Sequence, residues 1–173
     1  MQFIFEQILA GFPDAKELAS VSIRLVIAIL LGAVVGAQRE RWGKPAGLRT
    51  HMLVCLGGAL FVIASLESGI DSDGISRVIQ GLATGIGFLG AGAILKLYEE
   101  HAVEGLTTAA GIWLTAAVGV AVGLGRLGVA LVSIALAWII LAVVTRVEGL
   151  IDKKQPSEEN GGERGRKRKH LRS

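Results

Sequence analysis

Uninterrupted apolar runs constrain this chain more than any other feature: five stretches, each about 20 residues long, follow one another with almost no charge inside them. Each run suffices for a helix to cross a hydrocarbon core about 30 Å thick. Apolar residues make up 51% of the sequence and charged ones 19%. A soluble domain of 173 residues that buried five such runs would keep too little polar surface to cover them. The expected fold is therefore all-α, a polytopic membrane protein of about five transmembrane helices. The spans run from about Ala19 to Ala37, Leu48 to Ser65, Ile75 to Leu95, Leu106 to Leu124 and Leu127 to Thr145, with Gly125 and Arg126 forming a tight hairpin.

Residues 1–150 read as one membrane domain and 151–173 as a disordered basic tail, whose Gly, Glu and Lys/Arg content cannot offset ordering entropy. The N-terminal stretch has no basic region and no small-residue cleavage site, so it is expected to be retained. Phe3, Ile4, Ile8 and Phe12 share a helical face, which suits a short interfacial helix before Pro13, with disorder as the rival. Basic residues set the orientation. About fourteen of the 18 Lys and Arg fall on the side of Arg39, Arg41, Lys44, Arg49, Lys96, Arg146 and the tail, against about four for Lys16, Arg24, Arg77 and Arg126. The bias predicts N-out/C-in, with the bilayer as the first partner. The RGRKRKH run beside a membrane suits anionic headgroups, and no nucleic-acid partner is expected.

Small residues line two spans. Gly81, Gly85 and Gly92 fall near one face of the third, and Gly111, Thr115, Gly119 and Gly123 recur every four residues in the fourth. Such stripes let backbones approach where lipid supplies no hydrophobic drive, in intrachain packing first and at a dimer interface second. Polar residues gather at the span ends. The second and fourth spans both begin on the basic side, so their positive dipole ends converge near Arg49, Thr50 and His51 and near Thr107 and Thr108. Together with Arg39, Arg41 and Lys44 they suit an anion, either a phosphate, a lipid headgroup or a partner's acidic side chains; plain positive-inside anchoring is the competing account. Glu40 is placed to pair with Arg49 across the short turn. Arg77 and Gln80 open the third span near the other face, where Asp73 is placed to cap the helix.

No Asp or Glu lies inside a span, so oxygen ligands for a dehydrated Mg²⁺ are missing there, and no metal site is expected. The chain has one Cys and none of the HExxH, P-loop or GxSxG patterns, which argues against an enzyme and against a cofactor. Cys55 suits packing.

Three blocks in register, QRERWGKPAGLRTHMLVCLGGALF, RVIQGLATGIGFLGAGAIL and VEGLTTAAGIWLTAAVGVAVGLG, resemble the MgtC/SapB family of small bacterial inner-membrane proteins, over about Arg24 to Arg146. The resemblance implies a five-span domain linked to adaptation to low Mg²⁺, to acid or envelope stress and to intracellular survival. It also implies a modulator acting on membrane partners, notably the F-type ATP synthase, with some members named transporters by inference. Matching positions are Arg39, Glu40, Arg41, Gly47, Arg49, Thr50, Arg77, Gln80, Thr107 and Thr108. Gln38 replaces a more usual acidic residue, Thr107 an Asn of the founding branch, and Leu114 follows Trp113 without that branch's cysteine, so that branch's partner contacts are not carried over there. The ACT-like C-terminal domain of many members is not expected here.

Two functions follow as expectations. The first is a non-enzymatic modulator that assembles with itself or with another membrane protein through the glycine faces. The second is a small Mg²⁺ or H⁺ conduit, with Arg49, His51, Arg77 and Gln80 bordering a polar path in a homo-oligomer.

Overall fold

The computed structural model describes residues 14–97 and 102–152, so the expected interfacial helix and the tail beyond Asp152 lie outside the described residues. The described chain is helical at all five expected places: α1 (Ala15–Arg41), α2 (Leu48–Glu67), α3 (Ser72–Gly92), α4 (Leu106–Gly123) and α5 (Leu127–Asp152). A hairpin of two three-residue strands, β1 (Leu95–Leu97) and β2 (Ala102–Glu104), links α3 to α4, with Leu95 opposite Glu104 and Leu97 opposite Ala102. The chain forms two compact units, Met1–Ala137 and Trp138–Ser173; the second is described over 138–152, as helix.

Helices α1, α2 and α4 are long and apolar enough to cross a membrane, and Leu127–Val143 of α5 is a shorter apolar stretch. Helix α3 is diluted by Asp73, Arg77, Gln80 and its glycines. Large apolar side chains point outward throughout, Phe88 being 81% exposed. Water does not tolerate so much contiguous apolar surface and lipid does, so this is a membrane protein.

Glycine ends three of these helices in the same way. After α1, Gly43 at φ +63° lets its own N–H reach Glu40 O at 3.0 Å and the Lys44 N–H reach Arg39 O at 3.1 Å. The same pair of bonds recurs at Gly69 after α2 and at Gly125 after α4. This left-handed cap satisfies carbonyls that a helix end leaves open, at a conformation other residues resist. At the start of α3 the Asp71 carboxylate accepts from the Gly74 N–H at 2.9 Å, so Asp71 rather than Asp73 is the cap. Asp73 sits one turn position inside, where its charge favours the helix dipole.

Close backbone approach holds the core together. Gly32 and Gly36 of α1 face α2, where a Cβ would lie 2.9 Å from Met52 Cα and 2.7 Å from Leu48 Cα. The descending order of partners makes α1 and α2 antiparallel. Along α4, Gly111, Gly119 and Gly123 face His51, Cys55 and Ala59 in turn, so α2 and α4 run parallel. Gly58 of α2 completes the seam, a Cβ there falling 2.8 Å from Ala116 O. Ala28, Val35, Cys55, Ala59, Val118 and Val122 fill this three-helix core. Thr115, fully buried, donates its hydroxyl to Gly111 O at 2.8 Å, which satisfies a polar group that lipid cannot.

The glycines of α3 do not share this role. Gly90 touches α4, a Cβ there lying 3.6 Å from the Ala109 side chain, whereas Gly81, Gly85 and Gly92 meet no described atom within 4 Å. Intrachain packing of that stripe is therefore corrected. Helix α3 turns Ile86 and Gly90 inward instead, and those two are its buried residues.

Candidate functional site

The up-and-down order of helices brings the end of α1 and the starts of α2 and α4 to one end of the bundle. There α1 continues past the expected span limit at Ala37 to Arg41, which carries Arg39 into the bundle instead of leaving it in a loop. Arg39 is only 2% exposed. Its Nη2 donates to the Thr108 hydroxyl at 2.7 Å, while its Nε is buried with no hydrogen-bond partner among the described residues.

His51 is fully buried one turn into α2. Its Nδ1 lies 3.0 Å from Gly47 O. A carbonyl only accepts, so Nδ1 carries a proton, and in the neutral ring Nε2 is left as an acceptor. That Nε2 is buried without a hydrogen-bond partner among the described residues, and it faces Gly111, whose Cβ would lie 3.5 Å away.

Glu40 has a different partner from the expected one. Its Oε2 accepts from the Leu48 N–H at 2.7 Å, capping α2, whose N-cap residue Gly47 has no side chain for the purpose. A carboxylate at a helix start is favoured both by the open N–H groups and by the dipole. Arg49 is exposed and makes no ion pair with Glu40 among the described residues, where this cap takes the place of the expected pair. Arg41 is exposed too, and Thr50 is half-buried.

The start of α4 has no such cap. Gly105, at φ +90°, precedes it with no side-chain bond to the first turn, and a Cβ there would strike Ala93 O. Beside it lies a cavity of about 220 Å³ lined by Arg39, Lys44, Glu104, Gly105, Thr107 and Thr108, with Pro45 and Ala93 completing the wall. Thus Arg39, Thr107 and Thr108 come together around one cavity. Glu104 was not singled out by sequence; only its place just before a span start could have marked it.

Arg77 and Gln80 are not part of this cluster. Both are exposed on the first half of α3, which follows the far end of α2. The cavities described along α3 are apolar: one of about 120 Å³ beside Ile79, Leu82, Ile86 and Trp113, and a groove of about 520 Å³ over Phe61, Val78, Gly81, Leu82, Gly85 and Ile86. Among the described residues no three His, Cys, Asp or Glu side chains gather as metal ligands. At the far end Arg24 of α1 donates to Gly123 O at 3.3 Å, a cation set at the carbonyl end of α4.

The MgtC family matches residues 25–150. The chain is 48% identical over 116 residues to Protein SrpB of Synechococcus elongatus, covering 61% of this chain and 64% of that protein. It is 45% identical over 104 residues to Protein MgtC of Salmonella typhimurium, covering 60% of this chain and 43% of that one. It is 43% identical over 114 residues to YhiD of Escherichia coli, described as a candidate magnesium transporter, covering 62% of this chain and 52% of that protein. The chain thus spans between 43% and 64% of the length of these curated relatives. No solved structure matches.

Proposed function

The chain belongs to the MgtC family, and on that premise we propose that it is a non-enzymatic modulator that docks against a second membrane-embedded helix. Its setting is adaptation to Mg²⁺ limitation or to acid or envelope stress, in a bacterial inner membrane, with the N-terminus outside and the tail in the cytoplasm.

The observation that carries this reading is the open face of α3. Among the described residues α1, α3 and α4 carry small-residue surfaces, and α2 occupies that of α1 through Gly32 and Gly36 and that of α4 through Gly119 and Gly123. That leaves Gly81 and Gly85 facing outward beside the groove over Phe61 and Leu82. Within a bilayer, apolar side chains gain nothing by leaving lipid for protein, so helices associate where small residues allow backbone approach. A glycine face without a neighbour among the described residues is such a place. The occupant is a second copy of this chain or another membrane protein, the F-type ATP synthase being the partner that family resemblance suggests. Pull-down from native membranes under Mg²⁺ starvation, after crosslinking, tests it. Gly85→Leu is expected to remove the captured complex, and an unchanged complex with intact function removes the α3 face from the mechanism.

The name of the Escherichia coli relative favours a second reading, an ion conduit. In liposomes the purified protein would then carry Mg²⁺ or H⁺ above the empty-vesicle background. Absence of flux under any gradient eliminates it.

A further inference from the structure

The cavity beside the start of α4 poses an electrostatic problem that no ion pair among the described residues resolves. Arg39 is a permanent cation, almost wholly buried, and its one described hydrogen bond goes to a neutral hydroxyl. A buried charge is normally paired, because desolvation penalises it heavily when it is not. Next to it stands the N-terminus of an 18-residue helix, whose first N–H groups point outward with no side-chain cap. The neighbouring helix start shows the contrast, since α2 is capped by the Glu40 carboxylate. One positive helix end in this cluster is therefore answered by an anion, and the other lies against a second positive charge.

The lining specifies what fits between them. Arg39 lines the wall with a buried charge whose one described hydrogen bond is the one to Thr108. The Thr108 oxygen accepts from Arg39, so its own proton is free to be donated, and the Thr107 side chain lines the same space. Lys44, an exposed residue, adds an ammonium and Glu104 the single carboxylate, leaving the lining with a net positive charge. Several donors of different direction around one volume suit a tetrahedral oxyanion with many acceptor positions. A cavity of about 220 Å³ has room for one phosphate group with part of its ester.

We propose that this cavity binds a phosphate group through Arg39, Lys44, Thr107, Thr108 and the first turn of α4. The group belongs either to free phosphate or to the headgroup of an anionic lipid. The proposal is independent of the docking face on α3, and either can fail without the other.

The test uses the full chain in phosphatidylcholine nanodiscs and reads the thermal unfolding midpoint. Inorganic phosphate is titrated against chloride at matched ionic strength, and in a separate arm phosphatidylglycerol replaces part of the lipid. A rise with free phosphate in phosphatidylcholine assigns the soluble anion. A rise only with phosphatidylglycerol assigns the headgroup. In either case Lys44→Gln and Thr107→Val, neither of them at a buried position, weaken the half-saturation point about ten-fold, as loss of one charge-assisted bond does. Arg49→Gln, exposed and outside the cavity, leaves it unchanged. No rise in either arm overturns the proposal, as does a rise that Lys44→Gln, Thr107→Val and Arg49→Gln alter equally.

Discussion

Arg39 and Thr108, 69 residues apart, are joined by a buried 2.7 Å hydrogen bond that ties the last turn of α1 to the first turn of α4. Because α2 lies between these helices in sequence and packs on both through Gly36 and Gly119, this bond closes the end of a three-helix unit. Thr108→Val keeps the shape and removes the acceptor, leaving the guanidinium buried with even fewer partners. The expected loss is about 1–3 kcal/mol, the cost of a buried donor deprived of its acceptor. Unfolding in mixed micelles measures it, and Thr108→Ser, which restores an acceptor, is expected to lie close to the native value. Equal losses in both variants would assign the effect to packing around the methyl group.

Glu40 makes a second prediction that separates a cap from an ion pair. If its carboxylate acts on the Leu48 N–H, Glu40→Ala costs about 0.5–2 kcal/mol, while Glu40→Gln, which keeps an acceptor oxygen, costs less. Arg49→Ala then leaves stability within about 0.5 kcal/mol, because an exposed arginine outside this bond contributes little. A double-mutant cycle between positions 40 and 49 is expected to show no coupling. A coupling comparable to the Glu40→Ala loss would restore the ion pair.

Orientation is a prediction from charge alone. The Lys and Arg excess beside Arg39 and in the tail places those residues in the cytoplasm and the turn at Gly69 outside. Alkaline phosphatase fused after Gly69 is expected to be active, and the same reporter fused after Lys153 inactive. The reverse pattern would invert every statement about which end of the bundle faces a cytoplasmic partner.

Much of the fold was legible in the sequence because hydrocarbon imposes one length on every span. Leu48, Leu106 and Leu127 begin their helices where the apolar runs begin, and Gly43, Gly69 and Gly125 end turns where polar residues gather. Less was legible at the site. Periodicity tells which residues share a helix face but not which neighbour meets that face, so the stripe at Gly81 and Gly85 looked equivalent to the one at Gly119 and Gly123. The Gly32 and Gly36 pair, four apart in α1, carries the same signal. Arg39 read as a loop residue because hydropathy falls at Ala37. Helix growth is cooperative, however, and the next strong stop is Gly43, so the helix carries Arg39 one further turn into the bundle.

The two glycine faces can be told apart by experiment. A Cβ at Gly119 would strike the Cys55 carbonyl, a backbone atom of α2 that cannot rotate away, whereas one at Gly85 meets nothing described within 4 Å. Gly119→Ala therefore forces α2 and α4 apart and is expected to cost about 1–3 kcal/mol of unfolding free energy in detergent, the usual penalty for overpacking. Gly85→Ala changes stability by no more than about 0.5 kcal/mol, as substitutions at unoccupied surface do. Larger side chains sharpen the contrast: Gly85→Leu leaves the purified chain folded while abolishing the captured complex, and Gly119→Leu lowers the yield of folded protein itself. Should Gly85→Leu destabilise the isolated chain as much as Gly119→Leu does, then α3 is covered within the chain and the docking face must be sought elsewhere.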